Sequence, residues 1–179
     1  MEVRGHELEV EAVPFDFLRL RASLSHLNAD YLNYSVPDLA GGEDPIDRSG
    51  LTPAQAPTDM FTFSGVYTTG FRDGTLRFYA GYRHTKEYTS NSIVPAARIR
   101  NFSMIDLSVD YIWRDWTFRL FSRNSNGKRF VTNVHRPLAS QVVSLAPNTT
   151  STLPIATTGD LDEPEFTGLQ VIFVPPLGR

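Results

Sequence analysis

Tight and long connections alternate without exception along this chain, and few architectures accommodate that pattern. The tight ones are Pro14-Phe15-Asp16, Arg72-Asp73-Gly74 and Arg114-Asp115; the long ones run from Leu32 to Pro57, Tyr88 to Asn101 and Val131 to Pro164. Turn formers fill the tight set, while the long set carries the Gly, Pro, Asn, Ser and Thr of irregular chain. Structureless loops beyond roughly 12–15 residues are uncommon in a compact soluble domain. Three of them, all emerging at the same end of one sheet, count against such a domain.

The segments between these connections alternate with period two, so they read as strands. In "MIDLSVDYIWRDWTFRLFSRNSNGKRF" (Met104 to Phe130), Ile105, Leu107, Val109, Tyr111 and Trp113 share one parity and Asp106, Ser108 and Asp110 the other. Beyond the turn, Trp116, Phe118 and Leu120 alternate with Thr117 and Arg119. Similar runs cover Glu7 to Val13, Phe17 to about Tyr31, Thr58 to Phe71, Thr75 to about Glu87 and Phe166 to Val174, about seven strands in all. Helical periodicity is sustained nowhere.

The tight turns fix cross-strand partners. Pairing Val13 with Phe17 sets Glu11 against Arg19 and Glu9 against Arg21; pairing Trp113 with Trp116 sets Asp110 against Arg119 and Asp106 against Arg123. Opposite charges thus meet on one face, each pair contributing roughly 0.2–1 kcal/mol, while Tyr111 meets Phe118 and Val109 meets Leu120 on the other. Matched charges suit a wet lumen, and an outer face of Leu, Val, Phe and Tyr suits lipid. Phe15, Phe17, Phe71, Trp113 and Trp116 lie beside the tight turns, where a membrane barrel carries an aromatic girdle. Short periplasmic turns and long extracellular loops are the rule in such barrels. The expectation is therefore an all-β, antiparallel up-and-down transmembrane β-barrel segment. A small stand-alone outer-membrane barrel, or a soluble β-barrel or sandwich acting as a binding module, is the alternative.

Composition narrows the function classes. Cysteine is absent, which removes disulfides and thiolate metal sites. The net charge of -3 is spread along the chain, with Arg residues mostly placed opposite acids, so no nucleic-acid surface is indicated. No G-x-S-x-G, H-E-x-x-H, phosphate-binding Gly loop or metal-ligand spacing occurs, so neither an enzyme nor a cofactor is expected. An odd strand number leaves two open edges and conflicts with the even count of bacterial single-chain barrels. The chain is therefore expected to be part of a larger barrel.

Several stretches resemble TonB-dependent outer-membrane receptors. "LRLRASLSHLNADY" is similar to the L-x-L-x-A-S-Y-x-x-L-x-A-x-Y strand of that family, and "GLTPAQAP" to the G-x-x-L/P-x-x-A-P segment preceding the next strand. "IDLSVDYIWRDWTFRLFSRNSNGKRF" resembles L-D-L-S-V-G-Y…W-x-L-x-L-F-V-x-N-L-F-D-K-R-Y, and "PEFTGLQVIF" the closing P-R-T-F-G-L-Q-L-x-Y strand. The matches fall in family order. Ser125, Asn126 and Gly127 depart from Leu-Phe-Asp, Phe166 and Thr167 are exchanged, and Val174-Pro175-Pro176 stands where the family closes on Phe.

The resemblance implies that residues 1–179 form the C-terminal portion of a barrel of about 22 strands. The plug domain and the TonB box of the family lie outside this sequence. It further implies TonB-energised uptake of a large scarce ligand, most often a ferric siderophore, at the bacterial outer membrane. The implied partners are the rest of the barrel, the plug, outer-membrane lipid, TonB through the N-terminal part, and the siderophore. Loop candidates for ligand capture are Tyr34, Arg48, Tyr88, Arg98, Arg100, His135 and Arg136, since Arg and Tyr supply charge, hydrogen bonds and stacking for anionic chelates. Arg19, Arg21, Arg77, Arg83, Arg119 and Arg123 are expected to face the lumen and the plug.

Overall fold

The structure is a computed structural model, and it describes residues 1–37, 44–90, 98–129, 131–135, 158–161 and 164–175. Among the described residues it contains thirteen strands and no helix. In chain order these are β1 (Glu2–Phe15), β2 (Leu18–Asp30), β3 (Ser35–Val36), β4 (Ile46–Asp47), β5 (Asp59–Phe71), β6 (Gly74–Thr85), β7 (Tyr88–Thr89), β8 (Arg98–Ile99), β9 (Phe102–Trp113), β10 (Trp116–Arg123), β11 (Val131–His135), β12 (Thr158–Leu161) and β13 (Phe166–Phe173). Seven form one antiparallel sheet in the order β1-β2-β5-β6-β9-β10-β13, with β1 and β13 as open edges. Every neighbour in the sheet is the next long strand in sequence, which is an up-and-down meander.

The six remaining strands correct the expectation that the long connections are irregular. β3 pairs with β4, β7 with β8 and β11 with β12, each as a two-stranded ribbon. The ribbons are short, and their residues mix with Gly, Pro and Asn, so no sustained period marks them in the sequence. The first strand also reaches further than alternation alone indicates. β1 begins at Glu2 rather than Glu7, because Val3, Gly5 and His6 break the pattern while their backbones still pair with Ala29, Leu27 and His26.

Two of the three tight turns close on two residues, Arg114-Asp115 as expected and Arg72-Asp73 with Gly74 drawn from the turn into the strand. Phe71 pairs with Gly74 across Arg72-Asp73, and Trp113 with Trp116 across Arg114-Asp115. The first loop residue of each sits at positive φ, 51° for Arg72 and 50° for Arg114, which two-residue hairpins need to match strand twist. Each of these arginines lies over the aromatic ring before it, at 5.4 Å from Phe71 and 4.9 Å from Trp113. The first hairpin differs from expectation. Phe15 pairs with Leu18 and Ala12 with Leu20, leaving Val13 and Pro14 together opposite Arg19. Pro14 has no N–H to donate to the ladder, so the strand bulges there. The register therefore sets Glu11 against Arg21 and Glu9 against Ser23, two residues away from the expected pairing. A slip of two preserves parity, so the faces are those expected.

Burial across the sheet is inverted relative to a soluble protein. One ladder row reads Leu18, Tyr67, Phe78, Val109, Leu120 and Leu169 from β2 to β13. Leu120 is 54% exposed and Leu169 73% exposed. On the opposite face Asp110 is 1% exposed. Ala29, Val36, Pro53, Ile99 and Met104 are the buried apolar residues among those described, so the sheet is not built on a hydrophobic core. Apolar side chains left to water in this number would each forfeit roughly 1.5–3 kcal/mol of burial. They require an apolar medium or a cover. Near the tight turns the outer face ends in rings: Phe15 stacks on Phe17 at 5.1 Å, Phe17 meets Tyr67 edge-on at 5.5 Å, and Trp116 lies 4.6 Å from Phe173.

Candidate functional site

The inner face presents a polar row at one level across five strands: Thr68, Arg77, Asp110, Arg119 and Gln170. Asp110 holds both arginines. Arg119 Nε donates to Asp110 Oδ1 at 2.7 Å and its Nη2 to Oδ2 at 2.9 Å; Arg77 donates to Oδ2 from Nε at 3.1 Å and Nη2 at 2.5 Å. The expected Asp110–Arg119 pair is therefore present, with an additional partner. Arg77 shares the parity of the row, but a long connection separates β6 from β9, so no turn fixes that register from sequence. Two guanidinium groups on one carboxylate leave the cluster with an excess positive charge. The row opens on a concavity of about 610 Å³ whose lining includes Arg19, Tyr79, Asp106, Phe121 and Arg123. Gly168 makes room there, since a Cβ would lie 2.7 Å from the Phe121 ring.

The other inner arginines distribute as follows. Glu11 accepts from Arg21 Nε at 3.1 Å and lies 3.5 Å from Arg19 Nε, so one glutamate serves both arginines despite the altered register. Arg83 directs Nη2 to Met104 Sδ at 2.8 Å. Arg123 lies 6.0 Å from the Phe121 ring centre, and the β9–β10 ladder ends at Ser122. The expected Asp106–Arg123 pair is corrected at this point. Asp106 Oδ1 instead accepts from the backbone N–H of Asn124. Asn124 adopts φ 49°, which turns the chain and takes it off the ladder. Its side chain then donates to Lys128 O at 2.9 Å, while Asn126 donates to Ser103 O.

The loop candidates assemble in two groups. Tyr34 O accepts from Arg48 N at 2.6 Å, and the Tyr34 ring lies 4.3 Å from that of Tyr31. Arg48 Nε is buried without a hydrogen-bond partner among the described residues. Asp47 accepts from both Ser49 N–H and Ser49 Oγ–H, and these bonds hold its pKa below the usual carboxylate value. Tyr88 pairs with Ile99 and Thr89 with Arg98, with Arg100 following at once; Arg98 forms an ion pair with Glu87. The two groups are joined, because Gln55 N–H donates to Thr89 O at 2.8 Å. β11 packs beside β8 and ends on His135, whereas Arg136 lies outside the described residues. Tyr31 is a residue the sequence reading missed. It reads as the last residue of a strand, and only the fold of the first long connection brings it onto Tyr34.

No family model matches the sequence, and no curated protein matches it. Solved structures do. The chain is similar over 96% of its length to the ferric yersiniabactin uptake receptor FyuA from Yersinia pestis, with a TM-score of 0.72 at 10% identity. The sheet has the fold of a siderophore-receptor barrel segment. The siderophore receptor PiuA from Acinetobacter baumannii matches with TM-score 0.69 at 16% identity, and BauA, the ferric preacinetobactin receptor of the same species, with TM-score 0.68 at 17% identity, each again over 96% of this chain. The chain spans 21–23% of the length of these receptors. An open sheet with two free edges is what such a portion of a closed barrel presents. The neighbours are receptors rather than enzymes.

Proposed function

We propose that this chain is the C-terminal portion of a TonB-dependent outer-membrane receptor barrel that takes up a ferric siderophore or a comparable large chelate. The observation that carries this reading is the inverted burial of the meander, with Asp110 enclosed between arginines on one face and the Leu18–Leu169 row bare on the other. Barrels that enclose a polar lumen in lipid are built this way. The likeness to siderophore receptors supplies the choice of ligand class. A soluble sandwich would need a second sheet over the apolar face, and none of the described residues forms one.

In this reading the linked ribbons bearing Tyr34, Arg48, Tyr88, Arg98, Arg100 and His135, with Arg136 beyond them, contribute to ligand capture at the cell surface. The inner arginines Arg19, Arg21, Arg77, Arg83, Arg119 and Arg123 face the plug and the path of the ligand. Energy reaches the complex from TonB through the plug-bearing part, so this portion alone is inactive. Uptake of iron-55 chelates by iron-starved cells of the source organism tests the reading. Deleting the coding segment should abolish uptake of one chelate and leave the others intact, and removing TonB should have the same effect on that chelate. Unchanged uptake of every chelate would reject it.

A further inference from the structure

We propose that His6 of β1 and His26 of β2 form a zinc(II) site at the end of the sheet nearest the long loops. The two are remote in sequence, so no ligand spacing marks them, but the register sets them directly opposite each other. They share the parity of Leu8 and Leu24, the next pair along the ladder. Their ring centres lie 5.1 Å apart with planes 31° from parallel. Two imidazoles on one ion at about 2.0–2.1 Å have ring centres about 5 Å apart at the tetrahedral angle, and about 4.5 Å apart at the right angle of a square-planar site. The observed separation is the tetrahedral one, which favours zinc(II) over copper(II). The site needs only the β1–β2–β5 register and goes beyond the uptake reading.

The neighbouring strand sets the donor atom. Asp59, opposite His26 on β5, accepts from His26 Nδ1 at 2.6 Å. An ionised carboxylate only accepts, so Nδ1 holds the proton and the Nε2 lone pair of the neutral ring is left for an ion. Asp59 is itself held: Lys86 Nζ donates to Oδ2 at 2.8 Å and Lys86 N–H to the Asp59 backbone oxygen at 2.9 Å. His6 has no hydrogen-bond partner among the described residues. Both rings are open to water, His6 being exposed and the His26 side chain 45% exposed. The cations nearby are matched, Arg4 by Glu2 and Lys86 by Asp59, so a divalent ion meets no excess positive charge. No three ligating side chains converge among the described residues, and the remaining positions fall to water or to a donor from outside the chain. Because β1 is an open edge of the sheet, an ion shared by His6 and His26 fastens that edge to β2.

With the chain carried in its complete barrel in dodecylmaltoside, titration of zinc(II) against a chelating dye tests the site. The unaltered protein should hold one equivalent of zinc(II) more than His6→Gln or His26→Gln. Asp59→Asn should weaken that equivalent about tenfold, as loss of an outer-shell carboxylate does. His84→Gln, on another strand at the same end, should leave it unchanged. X-ray absorption at the zinc edge of the unaltered protein, which needs no variant to fold, should show two imidazoles in a four-coordinate shell. Equal zinc in the unaltered protein and in the His6 and His26 variants overturns the site. So does a shell with fewer than two imidazoles, or a loss in His84→Gln matching that in His6→Gln. None of these outcomes bears on the uptake reading, which iron-55 chelate transport measures separately.

Discussion

At the scale of single residues, Asp110 governs the inner face. Its carboxylate is enclosed and divides its oxygens between Arg77 and Arg119. Asp110→Asn removes the charge that keeps two guanidinium groups at one level, and should cost about 3 kcal/mol by urea unfolding in detergent, as breaking a buried ion pair does. Exchanging the charges of the β9–β10 pair, with Asp110→Arg and Arg119→Asp together, should restore part of the stability lost in Arg119→Asp alone. Full recovery is not expected, because the new arginine faces Arg77; adding Arg77→Gln should raise the recovery. At the loop surface, Asp47 has its folded-state pKa held down by Ser49. Stabilisation of that turn is thus fully present above the unfolded value near 3.8 and is lost as pH falls through the lowered folded value. The amide protection of Ser49, followed by NMR, should persist through pH 4 and vanish on further acidification; loss at pH 5 would contradict the bonding seen.

At the scale of elements, hairpins whose turns are chemically regular are legible in the sequence, and those with an irregularity are not. Trp113 and Trp116 flank two residues with no proline nearby, so alternation fixes β9–β10 to the residue. In β1–β2, Pro14 absorbs one residue in a bulge and the turn closes on Asp16-Phe17, shifting the register by two while sparing the faces. Cysteine is absent from the chain, so paired substitutions report register cleanly. Disulfide formation is expected for Glu9→Cys with Ser23→Cys, and not for Glu9→Cys with Arg21→Cys; the reverse would restore the pairing inferred from the turn alone. Deleting Pro14 should leave that register intact, because Val13 then pairs singly with Arg19. The candidate site was legible where it lies on strands, since parity alone puts Arg19, Arg21, Arg77, Arg83, Arg119 and Arg123 on one face of the sheet. The loop group was not, because Tyr31, Tyr34 and Arg48 meet through a two-residue ribbon and the Leu51 and Tyr31 backbone bonds, which leave no periodic trace.

For the whole molecule, the barrel reading means that the medium takes the place of the core. If the barrel reading holds, Leu120→Arg, on the bare apolar row, should block insertion or cost about 2–4 kcal/mol, whereas Ser108→Arg, on the opposite face, should be tolerated. The open edges β1 and β13 run in the same direction, as the ends of a seven-stranded antiparallel sheet must, so a wholly antiparallel closure would place an odd number of further strands between them. Nitroxide labels placed singly at residues 107, 108, 109, 119 and 120, with the chain carried in its complete barrel in dioleoylphosphatidylcholine bilayers, address the medium of each face directly. Labels at 107, 109 and 120 should collide with oxygen and be shielded from a water-soluble nickel chelate, and those at 108 and 119 should show the opposite preference. A chain folded in buffer without lipid, with the labels at 107, 109 and 120 immobilised and hidden from both reagents, would contradict the barrel.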